Sequence, residues 1–412
     1  MTNLFYRIGS AAEGKYFEEM KKYYYGIVIN ANLVTLYSNW IPSLVQKLKK
    51  PFFINPVTYI LSLDLENIKK NGDVKKSFEK LIRLYSSKIK EIVIDKEREL
   101  LPEDFIKNGK WNQSLIEDFI KNVFSLQKNV DTSQFQQTLS EILEIMGKEI
   151  KIERHNLLFL VPPYFYFDSI NDPWYKITLH LAKTSLKFKE GYGVYPTICI
   201  SKEIILDKNS INKIFNDYKE FDGFIIWISE LNEREDDEKY LNGLYNLVKT
   251  FANAKKPIII LHGEFLSLLL SKKYNLGYVR NICYGEHKNI ETPPVGGPLP
   301  QRRYYLNFTH SKVPESKARV LFSLHRELLC KCDICSRIQY KTIEEFFNNL
   351  ENTDFNKHFM VIHNSEVKLT GDQLKNRLIQ NYSLCKNKKI ENLGIKYKHL
   401  EKWISIANKM QL

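Results

Sequence analysis

Short, unbroken apolar runs recur along the chain, and most are followed by a stretch of helical length: GIVINA (26–31), PFFIN (51–55), LLFLVP (157–162), TICIS (197–201), GFIIWIS (223–229), PIIILHG (257–263) and VRNICYG (279–285). A strand with one wet face alternates apolar and polar residues. A strand that is apolar throughout is covered on both faces, as in a parallel sheet layered with helices. EIVID (91–95) reads either as an eighth such strand or as part of a helix beginning near Ser86. Seven or eight β–α steps within about 290 residues predict an α/β fold of the (β/α)8 barrel type rather than an open doubly wound sheet.

Helical spacing also runs through 131–150 and 236–254, the second opening on acids that suit a helix N-terminus. The Pro- and Gly-dense segment ETPPVGGPLPQRRYY (291–305) must be loop. Beyond it the pattern turns helical over 313–329, 343–350, 371–381 and 395–410. The expected division is a barrel over 1–309 and a small, mainly helical subdomain over 310–412.

No apolar run approaches the roughly 18–20 residues of a membrane helix. The N-terminal MTNLFYRIGSAAEGKYFEEM lacks an apolar signal core, so a cytoplasmic location is the expectation. The formal charge of +13 is uneven: residues 301–412 hold 20 Lys and Arg against 11 Asp and Glu, leaving only +4 for the first 300. The C-terminal part is therefore the expected polyanion surface. Within it QRRYY (301–305) and CKNKKIENLGIKYKHLEKW (385–403) mix cations with aromatics, a combination suited to neutralising phosphate and stacking on bases. Solvated helix faces would have the same composition.

Three of the six cysteines fall inside LLCKCDICSRIQY (328–340), while Cys199, Cys283 and Cys385 are scattered. That is not the layout of a disulfide framework, which belongs to short secreted chains. Cys330, Cys332 and Cys335 form a C-x-C-x-x-C array whose sulfurs a tight turn can aim at one ion, and zinc takes four such ligands. Candidates for the fourth are His358, His363, Cys385 and His325; His363 is the choice made here. A filled Cys3His tetrahedron leaves no position for water, so its role would be structural. An iron–sulfur cluster could use the same cysteines. A redox C-x-x-C pair would follow a strand in a thioredoxin-like unit, and this one does not.

A barrel pattern followed by C-x-C-x-x-C and then, with 27 residues between it and Cys335, by the His363 of VIHN resembles the tRNA-guanine transglycosylase family and its zinc-binding subdomain. The resemblance implies exchange of guanine for a 7-deazaguanine base in tRNA or DNA, through a carboxylate that attacks the nucleoside sugar as guanine leaves. By the same register, PFFINPVTYILSL puts Asn55 where the family has an Asp, with Pro56, Val57 and Thr58 in place of its small residues. YFYFDSINDPW makes Asp168 the base-pairing candidate, and GFIIWISEL puts Glu230 at an acidic position. The nucleophile's place falls at Asn281 or Ile282, so Glu286 in CYGEHK is the candidate nucleophile, with His262 and His287 on the same rim.

The resemblance further implies a purine or 7-deazaguanine ligand and a homodimer or heterodimer. The alternative is a barrel without chemistry, a zinc-stabilised nucleic-acid-binding subunit of a base-modification complex. The missing acids at Asn55 and Asn281 point towards it, whereas Asp168 and Glu230 point to the enzyme, since a binding-only chain has no evident reason to keep acids at a polyanion-facing mouth; the enzyme is the preferred expectation.

Overall fold

The computed structural model describes residues 3–131, 156–274, 276–282, 289–291 and 301–412. Eight strands form one parallel sheet: β1 (Asn3–Ile8), β2 (Gly26–Asn30), β3 (Phe52–Asn55), β4 (Tyr166–Phe167), β5 (Thr197–Ser201), β6 (Phe224–Ser229), β7 (Ile258–Ile260) and β8 (Gly277–Asn281). Their order is β3-β2-β1-β8-β7-β6-β5-β4. This is a curled sheet in the order of a (β/α)8 barrel opened between its third and fourth strands.

The opening has a local cause. LLFLVPPYFYF, expected to supply a strand over 157–162, makes only two isolated parallel bridges, Phe52↔Leu157 and Leu160↔Val194. Pro162 and Pro163 then remove two N–H donors that a ladder would need. Side chains satisfy the flanking backbone instead: Gln127 bonds both the N–H and the C=O of Val161 (2.9 and 2.7 Å), and Thr58 does the same for Tyr164 (2.8 and 2.7 Å). Only at Tyr166–Phe167 does the chain pair regularly, with Cys199 and Ile200 of β5.

β1 lies at the middle of the row, between β2 and β8. Its NLFYRI carries Arg7 between apolar residues, which hid it from a search for unbroken apolar runs, yet Leu4, Phe5, Tyr6 and Ile8 are all buried. β2 begins at Gly26 because a Cβ there would stand 2.4 Å from the Pro51 carbonyl oxygen and 2.7 Å from the Phe5 ring. EIVID (91–95) is a turn of π-helix continuing from Ser87–Lys90, so the helical alternative holds. The segment 132–150, and with it nearly all of the helix expected over 131–150, lies outside the described residues. The helix expected over 236–254 spans Glu238–Ala252.

The expected boundary at 309/310 falls in the turn of an antiparallel hairpin, β9 (Arg303–Leu306) with β10 (Ser311–Pro314). Helices follow over Glu315–Leu324, Ile343–Asn349, Asn352–Val367, Gly371–Asn387 and His399–Lys409. They share one apolar core with the sheet. Trp403 is fully buried and its indole N–H donates to the Glu233 carbonyl (2.9 Å), and the Tyr278 hydroxyl of β8 lies 2.8 Å from His363 Nε2. Among the described residues no helix is long and apolar enough to cross a membrane.

Candidate metal centre and basic cleft

The segment from Cys330 to Cys335 folds as a knuckle, with the Cys332 N–H directed at Cys330 Sγ (3.4 Å) and the Ser336 N–H donating to the Cys332 carbonyl (2.9 Å). The fourth member comes from the helix Asn352–Val367, which Asp354 starts by accepting from the Glu351 N–H (3.0 Å). That member is His358. Its Nδ1 stands 3.4 Å from Cys332 Sγ and 3.3 Å from Cys335 Sγ, and one ligand atom from each of the four residues lies within 4.8 Å of the others. Its Nε2 lies 2.9 Å from the Tyr305 carbonyl of β9, which fixes the tautomer that turns Nδ1 to the sulfurs. The Tyr304 ring stacks on the imidazole (4.2 Å between centroids) and its hydroxyl meets Cys335 Sγ at 3.2 Å.

The choice of His363 is corrected by this geometry. One helix carries both histidines, but His363 turns to the sheet, with Nδ1 on Glu366 (2.8 Å) and Nε2 at Tyr278. Glu366 also holds His310 (2.8 Å) and accepts from Tyr305 (3.0 Å), so His363 belongs to a buried polar cluster with its hydrogen bonds already made. The separation between Cys335 and the histidine that reaches it is thus 22 residues, not 27, which departs from the spacing the family resemblance relied on.

The electrostatics suit a cation. The Cys332 thiol is held far below its ordinary range, first by its hydrogen bonding with Cys330, then with Cys335, with His358 contributing. Burial opposes charge on His358, yet hydrogen bonding with Cys330 and Cys332 outweighs it and pushes the imidazole up to about 9. A thiolate field that favours a proton on His358 would equally favour a metal cation between the four groups. Three sulfurs and one imidazole, mostly buried and packed on aromatic rings, could hold a metal ion without leaving a position for substrate.

Near the ends of β3 and β6 aromatic rings pack together. Tyr59, from the turn after β3, meets Trp227 of β6 edge-on (4.7 Å between centroids) and lies against Tyr164 (5.9 Å). Burial, then Cys199 of β5, raises its hydroxyl pKa while Arg7 of β1 opposes, so four strands' neighbourhoods meet on this ring. Arg7 donates to the Leu261 carbonyl (3.2 Å) and lies 3.2 Å from His262 Nε2.

Asn55, expected to touch substrate, is 4% exposed and both polar atoms of its amide are bonded to protein groups. Its Nδ2 donates to Asn30 (3.2 Å), and its Oδ1 accepts from the Tyr164 hydroxyl (2.7 Å) and the Val57 N–H (3.3 Å). Asp168 is exposed in a turn, its N–H donating to Asp172 (3.2 Å), which caps the following helix. Glu230 is exposed, in the left-handed region at φ 62°, and accepts from Asn289 (2.8 Å). Both acids act on Tyr166: burial raises its hydroxyl, and Asp168 and Glu230 add to that. They therefore share one stretch of rim. Glu286 and His287 lie outside the described residues. Glu233, which no sequence pattern singled out, is buried and pushed up to about 7 by burial and then by Glu264. Its carboxylate accepts from the N–H groups of Glu264 (2.9 Å) and Ser267 (3.2 Å) at the start of the helix Phe265–Tyr274, a structural use.

A cleft of 1130 Å3 opens at the ends of β1 and β8, where Gly9, Ser10 and Ile282 line it. Seven cations line it, Lys69, Lys70, Lys75 and Lys76 together with Arg302, Arg303 and Lys312, and among the described lining residues Glu13 is the one acid. Glu13 is occupied by the Gly9 N–H (2.7 Å). Asn352, Thr353 and Asn356, from the first turns of the helix that carries His358, complete the wall. Of the basic stretches expected to meet a polyanion, 301–303 reaches this cleft and 385–403 does not. There Lys388 pairs with Glu327 (2.6 Å), Lys396 with Glu235 (2.7 Å) and Lys398 with Glu391 (3.0 Å). Tyr304 and Tyr305 are core residues behind the metal centre rather than stacking platforms.

No family model and no curated protein matches this chain.

Proposed function

We propose that this protein binds nucleic acid in the cleft, on a barrel-type scaffold stapled by zinc. The carrying observation is the charge of that cleft: seven cations against one acid whose carboxylate is already bonded to backbone. A concave cationic surface of this kind neutralises phosphates and releases their counterions, so affinity falls steeply with salt. Zinc is the metal best suited to three thiolates and one imidazole in a site without an open position. It would hold Tyr304, Tyr305 and the start of the Asn352–Val367 helix in register, and those elements carry Arg302, Arg303 and Asn352 to the cleft. Eight parallel strands in barrel order, with Phe52↔Leu157 bridging the gap, support a (β/α)8 barrel as the parent form.

The test is titration of the purified protein with labelled tRNA and double-stranded DNA at rising salt, together with metal analysis. Salt-sensitive binding and about one zinc per chain are expected. Absence of binding to either polymer at low salt, or iron in place of zinc, would refute the corresponding half of the reading.

A second reading, base exchange of the transglycosylase type, is favoured by one observation: Asp168 after β4 and Glu230 after β6, on either side of β5, both act on Tyr166. It requires a carboxylate to form an ester with the nucleoside carbon as guanine departs. Neither Asn55 nor Asn281 can supply one, and Tyr59 fills the centre of the mouth. Incorporation of radiolabelled guanine into tRNA or DNA would establish this second reading over simple binding.

A further inference from the structure

We infer that the cleft takes a single strand of nucleic acid, gripped by the lysine hairpin of residues 69–76 as its second wall. This rests on the nucleic-acid reading above and narrows it to a substrate class.

The hairpin is a built element. Lys69–Lys70 pairs with Asp73–Val74, and Asn71 (φ 57°) and Gly72 (φ 87°) are both left-handed, as the tight two-residue turn of a twisted ribbon requires. It holds lysines at fixed positions where a loop of the same composition would let them scatter. Lys69 pairs with Glu66 (3.1 Å). Lys70, Lys75 and Lys76, and Arg303 across the cleft, have no carboxylate partner among the described residues, unlike the paired lysines of 385–403. Asp73, on the same ribbon, is exposed and does not line the cleft. Like charges gathered without counter-charges repel one another, and Lys75 is already disfavoured as a cation by burial and then by Lys70. An anion between the walls relieves that repulsion.

The floor decides which anion. Between the cations the lining includes the apolar and aromatic side chains of Leu33, Leu36, Tyr37 and Phe355 beside the polar Ser10 and Ser77. A duplex presents phosphates outward on both sides and keeps its bases stacked inside, so it would set charge against this floor. A single strand presents phosphates along one edge and base faces along the other, matching cationic rims over an apolar floor. The volume agrees: 1130 Å3 is slightly above the roughly 300–1,000 Å3 of small-ligand pockets, room for a few nucleotides rather than a length of double helix.

The experiment is fluorescence anisotropy with a labelled ten-nucleotide strand, the matching ten-base-pair duplex, and inorganic polyphosphate as competitor, between about 50 and 200 mM salt. The strand is expected to bind at least tenfold more tightly than the duplex, with polyphosphate a poor competitor. The triple variant Lys70→Glu, Lys75→Glu, Lys76→Glu is expected to unfold at the wild-type temperature, lose at least tenfold in affinity, and lower the salt slope by about 2. Lys386→Glu, on an exposed face away from the cleft, should bind within twofold of wild type.

Duplex bound as tightly as the strand, with the triple variant still impaired, overturns the single-strand inference and leaves the cleft reading standing. Polyphosphate competing as well as the oligonucleotide removes the role of the floor and overturns it too. A triple variant of unchanged affinity overturns the hairpin's part, and failure of every nucleic acid to bind overturns the parent reading as well.

Discussion

Two parts of the strand-end face, the ring cluster around Tyr59 and the cleft over β1 and β8, treat their polar residues oppositely. At the ring cluster, Asn55, Tyr164 and Asn30 close a hydrogen-bonded chain, Arg7 is bonded to Leu261, and Tyr59 fills the centre among aromatic rings. In the cleft, Lys70, Lys75, Lys76 and Arg303 stand around 1130 Å3 of open volume without a carboxylate partner among the described residues. Polar groups that satisfy one another stabilise a fold; polar groups left facing space are set for a ligand. On that criterion the proposed recognition surface lies over the ends of β1 and β8, on the face where barrel proteins place their sites, walled by the Lys69–Lys76 segment and the β9 strand.

The contrast can be broken most severely at Tyr59. If its ring is core, Tyr59→Ala should cost about 3–5 kcal/mol in urea-induced unfolding. A loss below about 1 kcal/mol with new affinity for a purine would make the mouth a site that Tyr59 merely gates.

The two histidines of the metal-site helix sharpen it next. His358→Ala and Cys335→Ser should each abolish stoichiometric metal and loosen 301–306 and 352–360 in hydrogen exchange, while β1 and β6 keep their protection. His363→Ala should retain the metal but lose about 2–4 kcal/mol, because Glu366 and Tyr278 lose a buried partner. Metal loss in the His363 variant with retention in the His358 variant would reverse the assignment of the ligand.

Acidification gives a smaller effect. His363 and His399 are both lowered to about 4, chiefly by burial, and Glu366 is lowered to about 2, where His310 leads the terms that overcome burial. A histidine whose folded pKa lies below its unfolded value takes up protons first in the unfolded chain. Stability is therefore full above the unfolded value and is lost as pH falls from about 6.5 towards 4, by at most about 3 kcal/mol for each histidine. Glu366 adds its own loss between its unfolded value and about 2. Equilibrium unfolding at pH 7, 5.5 and 4.5 measures the trend, and a stability that is flat or rising over that range would contradict the burial of these groups.

Much of the scaffold was legible because unbroken apolar runs have few solutions: β2, β3, β5, β6 and β7 fall where GIVIN, FFIN, TICIS, FIIWIS and III stand. β1 was not legible, since Arg7 interrupts its pattern and nothing local says that Arg7 will find Leu261 some 250 residues away. The convergence of the three cysteines was legible, because their spacing is short enough to fix their geometry. The histidine was misassigned because residues five apart on one helix differ in sequence only by position, and what they face depends on where the helix begins. It starts at Asn352, a helix the patterning over 343–350 and 371–381 had skipped. The cleft was half visible: Arg302 and Arg303 stood in a segment of positive excess, but the opposite wall comes from KKNGDVKK in a stretch whose overall charge is nearly balanced.

One comparison of affinities tests the central claim directly. A single-stranded oligonucleotide is titrated against the wild type, the cleft variant Lys70→Glu, Lys75→Glu, Lys76→Glu, and the rim variant Asp168→Asn, Glu230→Gln, whose residues are all wholly or partly exposed and whose substitution should leave the fold within about 0.5 kcal/mol. The account predicts that the cleft variant loses at least tenfold in affinity and the rim variant stays within twofold of wild type. A rim variant that loses binding while the cleft variant keeps it would place recognition at the ends of β4 and β6 instead and contradict the cleft reading.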